Sequence, residues 1–127
     1  MERANEAVKE AEILLQNNYL NTYVNRLYYA CFYAVTSLLL TKNLSSTKHS
    51  GVRMLFHLNY VKTSIVEMKL GQLYDKLFRN RQKGDYTDFA RFSGVEVKPW
   101  LEETKQFVRC IEKIVHEKIK LQNDTQP

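Results

Sequence analysis

The residues Arg81-Gln82-Lys83-Gly84-Asp85-Tyr86 carry the densest chemistry of the chain, directly after an apolar helical run. Pinning an arginine costs side-chain rotamer freedom, and its charge must be paired or solvated. Arg79 and Arg81 beside Asp85 and Tyr86, around a glycine expected to end a helix, therefore outline a candidate phosphate site. A solvated helix end has the same look, because basic residues favour the negative end of the helix dipole.

Each residue has a chemical and a structural reading. Arg81 can grip a phosphate bidentately or stabilise charge developing on phosphorus, or it can pair with Asp85 four residues on. Tyr86 can contact a base or phosphate, accept a nucleotidyl group on its hydroxyl, or cap the bundle with its ring inward. Arg26 and Tyr29 stand three apart, so one helix face presents both to a common ligand. The alternative for Arg26 is a structural pair with Asp85 or another acid, and Asn25 is a weaker member of this set. His49 stands at an expected helix start, where backbone N–H groups favour an anion; it can act as a base or serve as a partial cap. His57 and His116 read as polar-face residues. No pair among the three histidines has metal-ligand spacing, so no metal or cofactor is expected. Neither a glycine-rich phosphate loop nor a serine nucleophile elbow is present.

Helices must position these groups. Four glycines and two prolines in 127 residues argue against a turn-rich β fold. Ala4, Ala7, Val8, Ala11, Leu14 and Leu15 repeat at helical steps and predict a first helix ending at Asn17-Asn18. A second is predicted from about Leu20 to Leu40, with one stripe of Val24, Leu27, Tyr28, Cys31, Val35 and Leu38 and another of Arg26, Tyr29, Ala30 and Tyr33. Ser46 or Thr47 can cap a third near His49, with Val52, Leu55 and Phe56 inward. Thr63 or Ser64 can cap a fourth, the latter in a capping box with Glu67. Its core is drawn from Met68, Leu70, Leu73, Leu77 and Phe78, and Gly71 marks a possible break. Phe89 and Phe92 look exposed in the following loop. Pro99 opens a last helix traced by Leu101, Thr104, Val108, Ile111 and Val115.

Short connections make neighbouring helices antiparallel, which predicts an all-α up-and-down bundle of four to five helices over residues 1–122, with 123–127 a disordered tail. The run from Leu27 to Leu40 is too short for a membrane span, and the N-terminus lacks a secretion pattern. Cys31 and Cys110 read as reduced thiols on helical stripes, so a cytoplasmic home is expected. The net charge of +5 is compatible with nucleotide, RNA or an acidic partner. Surplus aromatic surface on the second helix points to a homodimer seam.

Three patterns then line up in order. Asn25-Arg26-Leu27-Tyr28-Tyr29-Ala30 leads into an apolar helix, Lys48-His49-Ser50-Gly51 opens the next, and Leu77-Phe78-Arg79-Asn80-Arg81-Gln82-Lys83-Gly84-Asp85-Tyr86 closes the fourth. From Ala4 to about Lys120 the chain resembles the HEPN family, and most of all its small stand-alone prokaryotic members. The resemblance implies a helical bundle that usually dimerises and is often encoded beside a minimal nucleotidyltransferase, the two forming a toxin–antitoxin pair. It also implies, for many members, metal-independent ribonuclease activity, with an arginine followed within about six residues by a histidine that moves the proton. Counting forward from Arg79 or Arg81, this chain offers Gly84, Asp85, Tyr86, Thr87 and Asp88 instead of that histidine. Arg81, Asp85 and Tyr86 match the arginine–aspartate–tyrosine ending of the nucleotidyltransferase-associated branch.

The expectation is therefore a module that binds nucleotide or RNA phosphate in a groove of Arg26, Tyr29, Arg79, Arg81, Asp85 and Tyr86, beside a nucleotidyltransferase antitoxin. The alternatives are a ribonuclease toxin using Arg81 with His49 or Tyr86, or a non-catalytic dimeric scaffold.

Overall fold

Alanine spacing sets the first contact of the bundle. The computed structural model describes residues 1–86 and 92–124, with the backbone alone for 82–86 and 124. Helix α1 (Glu2–Gln16) buries Ala4, Ala7, Val8 and Ala11, whose small side chains let its neighbour approach closely. The chain reverses at Asn18, which takes a left-handed φ of 61° that asparagine tolerates. Helix α2 (Leu20–Leu40) then returns antiparallel, so the Met1 ammonium donates to Ser37 Oγ at 3.3 Å near the far end of α2.

Helix α2 is the axis of the molecule and packs against every long neighbour. Its first predicted stripe is buried throughout, together with Tyr23, Ala30, Ala34 and Leu39. Of the second stripe, Ala30 is buried while Arg26, Tyr29 and Tyr33 stay half-buried. The Tyr23 hydroxyl donates to the Val97 carbonyl at 2.8 Å, fixing the start of α2 against the start of the last helix.

Helix α3 (His49–Phe56) begins where expected but is capped differently. Lys48 occupies the N-cap without a side-chain bond, and Ser46 Oγ instead accepts the Lys48 N–H at 3.2 Å within the turn. The helix runs straight into a π-helical turn, His57–Val61. Ser64 takes a left-handed φ of 63°, so it closes this turn and forms no capping box. Helix α4 (Met68–Tyr86) starts with the Glu67 carbonyl accepting the Leu70 and Gly71 N–H groups. Met68 is exposed, while Leu70, Leu73, Tyr74, Leu77 and Phe78 enter the core.

Two glycines behave differently from expectation. Gly71 does not break α4; a Cβ there would stand 2.9 Å from His57 Cε1 and 3.1 Å from a Val61 methyl, so its bareness lets α4 lie against the π turn. Gly84 does not end α4 either, because its backbone stays helical and the helix runs to Tyr86.

Helix α5 (Gly94–Val97) is a single turn leading into α6 (Pro99–Asp124), which starts at the expected proline. Phe92 is half-buried rather than exposed, its ring edge-on to Trp100 at 6.2 Å; Phe89 lies outside the described residues. Helix α6 buries Thr104, Phe107, Val108, Ile111 and Val115. It extends to Asp124, two residues into the expected tail, and residues 125–127 lie outside the described part.

The architecture is the all-α up-and-down bundle. Helix α2 runs antiparallel to α1, as the Met1–Ser37 bond requires, and parallel to α6, as the Tyr23–Val97 bond at one end and the Gln122–Thr41 bond at the other require. Among the described residues there is no strand, and no helix is long and apolar enough to cross a membrane.

Candidate phosphate-binding groove

The middle of α2 and the last turns of α4 lie side by side, because Tyr28 packs on both Tyr74 and Phe78. That packing brings Arg26 and Arg81 to the same phenol. The Arg26 guanidinium sits 4.9 Å over the Tyr29 ring, and Arg81 Nη1 donates to the Tyr29 hydroxyl at 3.4 Å. Arg81 also covers the Tyr28 ring at 4.8 Å. Three of the residues singled out in the sequence, from two helices, thus form one continuous cationic and aromatic surface.

His49 joins them from the start of α3. Its ring stacks on Phe32 at 4.4 Å, and its Nδ1 shares a 2.6 Å hydrogen bond with the Tyr28 hydroxyl. The direction of that bond follows the imidazole tautomer. Burial first, and the nearby Arg81 charge second, hold the His49 pKa below its ordinary value. Tyr28 is pushed up to about 12 by burial, partly offset by Arg81, so its phenol stays protonated. With Nδ1 engaged, Nε2 is the His49 nitrogen left for a ligand.

Arg26 has an acid partner, but it is Glu10 on α1 at 3.6 Å, with the Asn25 amide oxygen accepting at 3.3 Å. Glu10 is 54% exposed, and an ion pair that wet contributes under about 1 kcal/mol, so it competes weakly with a phosphate. Arg79 stands apart. It is exposed and lies about 200° around α4 from Arg81, which turns it away from the groove. Asp85 and Tyr86 continue α4 beyond Arg81, but their side chains, and with them the Arg81–Asp85 and Arg26–Asp85 pairings, lie outside the described residues.

The surface has the components of a phosphate-and-base site: two guanidiniums, a neutral imidazole and three ring systems. Sequence patterning assigns Tyr28 to the core, and it is fully buried. Its phenol oxygen meets His49, and the signal for that contact is that a buried tyrosine needs a polar partner. A second polar cluster joins α3, the π turn and α4. Asp75 on α4 accepts from Arg53 Nη1 at 3.0 Å and meets His57 Nε2 at 2.8 Å. The four-residue spacing of Arg53 and His57 was the visible clue.

The fold defines a class, the small all-α up-and-down bundles, and here two arginines and two tyrosines of its central helices meet in one cluster. The chain matches the HEPN domain model over residues 1–118, and it belongs to the HEPN family. It is 43% identical over 115 residues to a UPF0332 protein of Thermotoga maritima, covering 91% of this chain and 87% of that one. It is 36% identical over 117 residues to a Methanocaldococcus jannaschii protein named "Putative toxin MJ0605", covering 92% and 87% of the two chains. A second protein of that archaeon, named "Putative toxin MJ0142", is 34% identical over 86 residues, or 68% and 58% of the two.

Proposed function

We propose that this HEPN protein is the toxin-type member of a two-component pair with a minimal nucleotidyltransferase, and that it binds nucleotide or RNA phosphate in the groove of Arg26, Tyr29, His49 and Arg81. The observation that carries this reading is the Arg26–Tyr29–Arg81 arrangement, in which one phenol holds two guanidiniums from different helices. Such an array lets a phosphate bridge two cations while a base stacks on the adjoining rings. The toxin names of two relatives support the pairing. The protein acts in the cytoplasm as a homodimer, the surplus aromatic face of α2 supplying the seam. On their sequence pattern alone, Asp85 and Tyr86 are proposed as further ligand contacts, with Tyr86 the phenol a partner transferase would modify.

Fluorescence anisotropy with a labelled single-stranded RNA, and with ATP as competitor, tests the groove. Binding that weakens with Arg26→Ala and with Arg81→Ala supports it; binding indifferent to both refutes it. Co-purification with a co-expressed minimal nucleotidyltransferase tests the pairing separately.

One observation favours a second reading, a metal-independent ribonuclease. His49 and Arg81 both meet Tyr28, and burial with the Arg81 charge lowers the His49 pKa from its ordinary value, which favours the neutral form a general base needs. Its Nε2 would take the proton of a ribose 2′-hydroxyl as that oxygen attacks phosphorus. The bond from phosphorus to the 5′-oxygen would break as that oxygen takes a proton from water, giving a 2′,3′-cyclic phosphate, while Arg81 stabilises the charge on the phosphoryl oxygens. RNA cleavage in EDTA that is lost in both His49→Ala and Arg81→Ala selects this reading over binding alone.

A further inference from the structure

A second surface, away from the phosphate groove's arginines, has the character of a protein-docking face. Arg53, Met54, His57, Leu58, Val61 and Lys62 line a shallow groove of roughly 470 Å³ along α3 and the π turn. Met54 and Leu58, one turn apart, are 64% and 53% exposed, an unusual investment of large apolar side chains in water. Met68, 70% exposed, extends the strip: it stands one turn before Gly71, which abuts His57 and Val61. The π turn belongs to this surface, and an inserted residue of this kind is frequently retained for function. Gly71 is what lets the turn lie so close to α4.

The charges decide what fits. Arg53 and Lys62 are the cations that edge the apolar strip, with His57 between them in sequence, and Asp75 meets both Arg53 and His57. Two copies pairing through this face would oppose like cations across a two-fold axis, which disfavours self-association. A helix with aliphatic residues every three or four positions and carboxylates beside them is complementary in both shape and sign. The groove runs from residue 53 to residue 62, a length that takes about two to three turns of such a helix.

We infer that the face of α3 and the π turn docks an acidic amphipathic helix of a partner protein, with Met54 and Leu58 as the apolar anchors and Arg53 and Lys62 as the charged rim. This inference does not depend on the phosphate groove.

The test uses the full isotope-labelled chain and a synthetic helical peptide of about four turns, with leucines on one face and glutamates beside them. A matched peptide carrying lysines in place of the glutamates serves as control. The glutamate peptide is expected to shift the backbone signals of residues 53–62 and 68–71 saturably, and the lysine peptide to leave them in place. Leu58→Gln, at an exposed position that the fold does not need, weakens the interaction about tenfold, as loss of an anchor does. Arg81→Ala leaves it unchanged. Shifts elsewhere in the molecule, or equal binding of both peptides, overturn the inference. So does a dimer of this chain that Leu58→Gln dissociates, which would make a second copy the occupant.

Discussion

Replacing Arg81 with glutamine removes one of two guanidiniums from the groove and leaves the Tyr29 ring and Arg26 in place. The loss follows from the contacts. The Arg81–Tyr29 bond is long at 3.4 Å, but the guanidinium also lies 4.8 Å from the centre of the buried Tyr28 ring, a desolvated contact, so folding stability falls by about 2 kcal/mol. Ligand binding, read on the folded protein, falls as well. A hydrogen bond to a charged group contributes about 1.5–3 kcal/mol, so RNA affinity drops about 10- to 150-fold. Salt dependence gives an independent reading. Two phosphates neutralised on a single strand give a slope of log affinity against log salt near about −1.4, and removing one cation brings it to about −0.7. Anisotropy titrations of a labelled single-stranded RNA at several salt concentrations measure both quantities. An affinity loss with an unchanged slope would mean that Arg81 shapes the groove without touching phosphate. A slope near zero in the unaltered protein would remove phosphate from the account altogether.

Other expectations follow from neighbouring residues. His49 titrates below 6.5, and Arg81→Gln raises its pKa in an NMR titration by removing the charge that helps depress it. Because the unfolded chain binds this proton more readily, stability is lost as pH falls from the ordinary histidine range through the depressed value, whereas RNA affinity rises as His49 gains charge. Tyr23→Phe leaves the Val97 carbonyl without its 2.8 Å donor and costs about 1–2 kcal/mol in urea unfolding, with RNA affinity unchanged. Arg79→Ala, on the far side of α4, changes RNA affinity less than about threefold, the scale of a distant screened charge.

Much of the fold was legible because apolar spacing reports it directly. The limits of α2, the Asn17-Asn18 reversal and the Pro99 start all follow from local chemistry. The misreadings share a cause: each concerned a residue whose role is set by a distant neighbour. Gly71 reads as a weak point until the π turn is seen against it, and Ser64 reads as a cap until its left-handed backbone shows that it closes a turn. The π turn itself has no periodic signature distinguishable from the helix it continues. In the groove, Arg26 and Tyr29 were legible as an i, i+3 pair and Arg81 as a costly cation at a helix end. That one phenol joins them is a tertiary fact. Arg79 reads as a member only by its proximity in sequence, and it stands about 200° around α4 from Arg81. Tyr28 was misread in the opposite sense, since its burial hid the hydroxyl that meets His49.

The claim that RNA or nucleotide phosphate occupies the cleft between α2 and α4 is tested most directly by following side-chain signals during titration with a short single-stranded RNA. The Arg26 and Arg81 guanidinium, Tyr29 ring and His49 imidazole resonances are predicted to move together and saturate at one stoichiometry, with His49 shifting toward its protonated form. Signals at these four positions that stay fixed while the RNA binds elsewhere, or while nothing binds, would contradict the account.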